Sequence, residues 1–321
     1  MVETQPIEDW SVIPWRTLER VVYRLQKRIY HASARGNVQA VHSLQRLLMK
    51  SQAARCLAVR RVTQDNRGKN TAGVDGIKSV SAARRPALVI LLRTPQTITA
   101  QPVRRVWIPK PGKAEKRPLG IPTMLNRAHQ TLARLALEPE WEARFEPNSD
   151  GFRPGRSVHD AIAALFNVTC KKEKYILDAD IAGCFDGIAH GPFLDKLNTY
   201  PALRRTIKGW LKAGVLSEGT WEPTTAGAPQ GGPFSPLAAN IALHGLETAL
   251  RTTVTAGERP FVVRYADLCR VRHKSAYAEC RVMPTAPARP EGQPGCSRHN
   301  PASFVWCTMF VTPVVSSHRR A

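Results

Sequence analysis

The chain has 321 residues, enough to bury a sizeable core and to form two subdomains. Its 47 Lys and Arg against 25 Asp and Glu leave a formal net charge of +22, which favours a polyanionic partner without separating enzyme from scaffold. Apolar runs such as residues 87–92 are far too short to span a bilayer, and the seven cysteines include no C-x-x-C pair of a zinc ribbon or redox motif.

In chain order, the first predicted element is a helix over residues 14–31. Leu18, Val21, Val22, Leu25 and Ile29 follow i, i+3, i+4, i+7 spacing and form one apolar stripe. Arg16, Arg20, Arg24 and Lys27 fall on the opposite face. Such a face is usually plain solvated surface, but a single sign of charge, relieved only by Glu19, adds weight to phosphate contact. Asn37 caps a second helix through Val38, Val41, Leu44, Leu47 and Leu48 that is expected to run to Val62, before Gly68, Gly73 and Gly76 open a loop. A hairpin follows, with strands over 103–108 and 117–121 and a Pro- and Gly-punctuated turn between them. Lys110, Lys113, Lys116 and Arg117 surround its tip. They either solubilise the turn or close over a triphosphate, with Lys as a point charge and Arg as a fork donor. Residues 126–146 read as a helix, and 151–157 as a rigid basic loop containing Arg153 and Arg156. Ser157 caps the next helix, over 159–168. His129 and His159 have no partner at metal-ligand spacing and read as structural.

Two acidic strands carry the chemistry. In Tyr175-Ile176-Leu177-Asp178-Ala179-Asp180-Ile181, period-two alternation puts Asp178 and Asp180 on one face. The stretch Phe261-Val262-Val263-Arg264-Tyr265-Ala266-Asp267-Leu268 then places a carboxylate at the tip of an apolar strand. Two strands with Asp at exposed ends can hold two Mg²⁺ ions about 3.5–4 Å apart, activating a hydroxyl and stabilising a leaving phosphate oxygen. Between them, Pro229-Gln230-Gly231-Gly232 opens a helix expected over 235–250. Its glycines let a backbone approach a base or sugar closely.

The motifs Arg117–Thr123, Gly151–Ser157, Asp178–Asp186, Pro229–Gly232 and Tyr265-Ala266-Asp267, in that order, closely resemble those of bacterial group II intron reverse transcriptase/maturases. Leu25–Tyr30, Ala58–Thr63 and Thr71–Gly76 are similar to the extension that precedes the fingers there. The likeness runs from about Trp15 to Asp267. It implies an α+β right-hand polymerase: a helical RNA-binding extension over 1–92, fingers over 93–170 and an incomplete palm with an antiparallel sheet over 171–268. It further implies Asp180 and Asp267 as catalytic ligands of two Mg²⁺, and Phe185 as the gate against a 2′-hydroxyl. Lys110, Lys113, Arg117, Gln230 and Gly231 would hold the nucleotide. Arg16, Arg20, Arg24, Lys27, Arg153 and Arg156 would bind RNA. The implied partners are intron RNA, a DNA primer or target and deoxynucleotide triphosphates in the cytoplasm, with no membrane; a homodimer is left open.

The family motif Tyr-Ala-Asp-Asp ends here in Leu268, which cannot ligate Mg²⁺. Asn126 stands where the family carries Asp. Residues 269–321 read as an atypical, disordered tail in which thumb and maturase domains are not recognisable, consistent with a frameshift or recombination near Leu268. The expectation is a weak or inactive copy. A non-catalytic RNA binder and a non-functional remnant are the alternatives.

Overall fold

The structure, a computed structural model, describes residues 9–93, 98–109, 112, 114, 116–170, 175–181, 183–252, 260–273 and 309–314. Its helices are α1 (Trp15–Ala34), α2 (Val38–Lys50), α3 (Gln52–Arg60), α4 (Arg85–Leu91), α5 (Met124–Glu142), α6 (Val158–Thr169), α7 (His190–Leu197), α8 (Pro201–Lys212), α9 (Ser235–Leu243) and α10 (Leu246–Thr252). Its strands are β1 (Val103–Pro109), β2 (Lys116–Ile121), β3 (Tyr175–Ile181), β4 (Val215–Ser217), β5 (Thr220–Glu222), β6 (Phe261–Tyr265), β7 (Leu268–His273) and β8 (Met309–Val314). The chain divides into two compact units, one of residues 1–144 with 197–238, the other of 145–196 with 239–321.

In the first unit α5 is the central helix. Nearly all of it is buried, from Met124 to Trp141, and α1, α2 and α3 pack on it. α1 turns Val22, Ile29 and Ala32 inward, and Gln26 and Ser33 donate to the carbonyls of Leu135 and Glu140 at 3.0 and 2.9 Å. The predicted second helix does not run unbroken to Val62. It stops at Ser51, which is extended and whose hydroxyl accepts from the Ala54 N–H, so α3 starts afresh. Thr123 likewise starts α5 two residues earlier than expected. The sheet of this unit runs β2-β1-β4-β5, with β1–β2 and β4–β5 antiparallel and β1–β4 parallel.

The second unit holds an entirely antiparallel sheet in the order β6-β7-β3-β8. Ala179, Ile181, Val262 and Cys269 are buried, and Cys184, Phe185, Ala239 and Leu243 pack with Ile181. The helix expected over 235–250 is two helices. The Glu146 Oε1 accepts from the N–H groups of Gly245 and Glu247 at 2.9 and 3.2 Å, and this long-range cap begins α10. The expectation of a disordered tail over 269–321 is corrected in part: 269–273 belong to β7 and 309–314 form β8, which covers the other edge of β3, while 274–308 and 315–321 lie outside the described residues. Backbone pairing across the sheet outweighs the weak periodicity of those residues.

Candidate active site

In the second unit the register brings the acidic residues to one end of the sheet. Asp180 pairs with Leu268 across β3–β7, and the Ile181 N–H donates to the Asp267 carbonyl at 3.1 Å. Asp180 is exposed and Asp267 half-buried, while Ala179 and Ile181 on either side of Asp180 face the core. Leu268 is 51% exposed, so a hydrocarbon side chain lies on the surface opposite Asp180. Asp186 is exposed; the side chain of Asp178 lies outside the described residues. Among the described residues no group of three or more His, Cys, Asp and Glu side chains is placed to hold a metal. Two carboxylates at one strand end do fit a hard cation that keeps several of its waters. Phe185 is buried and its ring meets Phe152 edge-on at 6.4 Å.

The turn that carries Asp267 is held from behind. Arg264 is 3% exposed, and its Nη1 donates to the Asn240 Oδ1 and the Ala266 carbonyl, both at 3.0 Å, while Nη2 donates to the Ser149 hydroxyl. Asn240 Nδ2 donates in turn to the Gly151 carbonyl at 2.8 Å. Burial holds the Arg264 guanidinium below its ordinary pKa, against the pull of Glu146. Sequence reasoning missed Arg264 and Asn240. The signal was present: period-two alternation puts Arg264 on the same face as Val262, a charge aimed inward next to an acidic tip.

Arg153 is a correction to the RNA-binding set. It is buried, donates to the carbonyls of Glu146 and Ser149 at 3.0 and 2.6 Å, and lies over the Phe145 ring, so it braces the loop. Arg156 stays exposed and pairs with buried Asp150 at 3.3 Å; burial holds the Asp150 carboxyl above its usual range against that pull.

In the first unit Arg117 Nε donates to Gln230 Oε1 at 3.0 Å, joining two of the nucleotide-binding candidates, and the Gly120 N–H donates to the Gln230 carbonyl. Gly231 follows with φ +113°, and a Cβ there would lie 2.8 Å from the Gly120 carbonyl oxygen. Lys110 and Lys113 lie outside the described residues. Arg16, Arg20, Arg24 and Lys27 are all exposed on α1, opposite its buried stripe, and Tyr23 and Tyr30 on the same helix are exposed as well. Buried Arg127 donates to the carbonyls of Pro122, Gly68 and Thr71 and fixes the 68–71 loop.

Residues 108–282 match the reverse transcriptase (RNA-dependent DNA polymerase) family, and residues 10–92 match the N-terminal domain of reverse transcriptase. The chain belongs to the reverse transcriptase family. The match runs past Asp267, where the motifs alone place the end of the likeness. The chain is 37% identical over 191 residues to the group II intron-encoded protein LtrA of Lactococcus lactis, covering 57% of the chain and 31% of that protein. It is 32% identical over 215 residues to the protein YkfC of Escherichia coli, covering 62% of the chain and 55% of that protein. A maturase-like protein of Euglena gracilis is 28% identical over 250 residues, 73% of the chain and 51% of that protein. The chain thus spans a third to about half of these relatives, and they bear out the resemblance to group II intron reverse transcriptase/maturases. The family binds nucleic acid and nucleotides and uses divalent metal ions. Among the described residues no helix is long and apolar enough to cross a membrane.

Proposed function

We propose that this reverse transcriptase extends a DNA 3′-hydroxyl on an RNA template, slowly, as a weakened copy of a group II intron maturase. One observation carries the reading: Asp180 opposite Leu268, with Asp267 hydrogen-bonded to the neighbouring Ile181, gives a two-carboxylate strand end. Mg²⁺ bound there would activate the hydroxyl and stabilise the leaving phosphate oxygen. Asp180 and Asp267 supply hard oxygen donors, whereas Leu268 supplies none, and a donor set one carboxylate short lowers the rate. Arg117, oriented by Gln230, meets triphosphate charge with a fork of donors, and Lys110 and Lys113 add point charges. Gly231 leaves its backbone bare to the nucleotide. Phe185, braced by Phe152, is the gate against a ribose 2′-hydroxyl. The α1 face holds intron RNA through Arg16, Arg20, Arg24 and Lys27, joined by Arg156, in the cytoplasm.

The test is Mg²⁺-dependent incorporation of one deoxynucleotide on an RNA template, with Asp180→Ala prepared identically. Slow incorporation that disappears in the variant is expected. Equal incorporation by both proteins would place the activity elsewhere or in a contaminant. Absent incorporation with retained RNA binding would favour the non-catalytic binder, for which the exposed basic face of α1 also speaks.

A further inference from the structure

The hairpin that carries Asp267 is strained. β6 and β7 are joined by only two residues, Ala266 and Asp267, and Ala266 sits in the left-handed region at φ +58°. Two-residue hairpin turns favour Gly, Asn or Asp where φ is positive, and an alanine, whose Cβ crowds the following carbonyl, is disfavoured there. Such a conformation persists only when its surroundings over-determine it.

The surroundings do so from three sides. The Ala266 carbonyl accepts from Arg264, whose other bonds run to Asn240 and Ser149. Arg264 also pairs through its backbone, donating to the Asn148 carbonyl at 2.8 Å and accepting from the Asp150 N–H at 2.9 Å. Finally, Gly151 lies so close that a Cβ built on it would stand 2.1 Å from the Ala266 nitrogen. A buried guanidinium is costly unless it is satisfied, and here the turn and its supporting loop supply the satisfying acceptors. Lysine cannot reproduce the fork that reaches Ala266, Asn240 and Ser149 together.

We infer that Arg264 is a positioning residue: with Ser149, Asn240 and Gly151 it locks the Ala266–Asp267 turn in the one conformation that presents the Asp267 carboxylate at the end of the sheet. The link to Asp267 rests on the proposed reading of that residue as a metal ligand; the lock itself does not.

Arg264→Lys in the full chain tests it with two readouts. Hydrogen exchange of the peptide covering residues 264–268 is expected to accelerate about tenfold while circular dichroism stays native, since local opening is decoupled from global stability. Mn²⁺ affinity, followed by electron paramagnetic resonance, is expected to fall about 10–100-fold, the usual cost of losing a group that orients a ligand. A folded Arg264→Lys protein with unchanged exchange in the turn overturns the lock. If that variant does not fold, Ser149→Ala decides: faster exchange in the turn at native global stability supports the inference, and unchanged exchange overturns it. Wild-type protein that binds no more Mn²⁺ than Asp267→Ala would refute the metal reading alone, and the exchange result would still decide the lock.

Discussion

Adjacent glycines in the Pro229–Gly232 loop meet different neighbours, and substituting each by alanine separates backbone strain from crowding. At Gly231 the backbone has φ +113°, a region essentially closed to residues with a Cβ, and a Cβ would lie 2.8 Å from both the Gly120 carbonyl oxygen and Leu119 Cδ1. The strained backbone costs about 1–3 kcal/mol. Forcing apart the loop and β2 adds about 1–3 kcal/mol as in other overpacked sites. Gly231→Ala is therefore expected to destabilise the first unit by about 2–6 kcal/mol and to break the Gln230–Arg117 hydrogen bond. At Gly232 no such φ applies, and the closest obstacle is the Gln130 Oε1 at 2.5 Å, the end of a side chain that can rotate. Gly232→Ala should cost less than about 1.5 kcal/mol. Urea unfolding followed by tryptophan fluorescence reads this unit well, because six of the seven tryptophans lie in it. Equal losses for the two variants, or a larger loss at Gly232, would refute the steric reasoning.

Three further outcomes follow from the same geometry. Removing Arg16, Arg20, Arg24 or Lys27 singly should lower the slope of log affinity for RNA against log salt by about 0.7–0.9 for each phosphate no longer neutralised, measured by filter binding across a salt series. His129 is fully buried, both ring nitrogens lack a hydrogen-bond partner, and burial pushes its pKa from 6.5 down to about 4. The unfolded chain binds that proton first as pH falls, so the neutral histidine's contribution is complete above pH 6.5 and drains between 6.5 and about 4, by up to about 3 kcal/mol. His129→Leu should flatten the pH dependence of urea midpoints in that window. Gly151→Ala, whose Cβ would run into backbone atoms of Tyr265 and Ala266, should lower the thermal midpoint and weaken Mn²⁺ binding together, whereas a tolerated alanine would contradict the close approach.

Patterns set by neighbours in sequence were legible. The stripe on α1, the Asn37 cap on the Ala40 N–H, the hairpin of β1 and β2, and Ser157 at the start of α6 all arise from local spacing. So was the presence of both acidic strands, β3 and β6, which lie in one antiparallel sheet with β7 between them. What was not legible depends on partners distant in sequence. The break between α9 and α10 is made by Glu146, about 100 residues away, and Arg117 meets Gln230 across 113 residues. Arg153 looked like a phosphate ligand because charge predicts exposure, yet the carbonyls of its own loop draw it inside. β7 and β8 carry weak periodicity and take their form from pairing with β3.

On the proposed reading a two-carboxylate strand end limits polymerisation, and the most direct measurement of that is the rate of single-nucleotide addition on an RNA template in wild type, Leu268→Asp and Asp180→Ala. Leu268 is half-exposed and lies opposite Asp180, so the substitution adds an oxygen donor with little loss of packing. Slow addition is predicted in wild type, a gain of at least about tenfold in Leu268→Asp from the restored ligand without processive synthesis, and none in Asp180→Ala. A Leu268→Asp protein no faster than wild type, or addition that survives in Asp180→Ala, would contradict it.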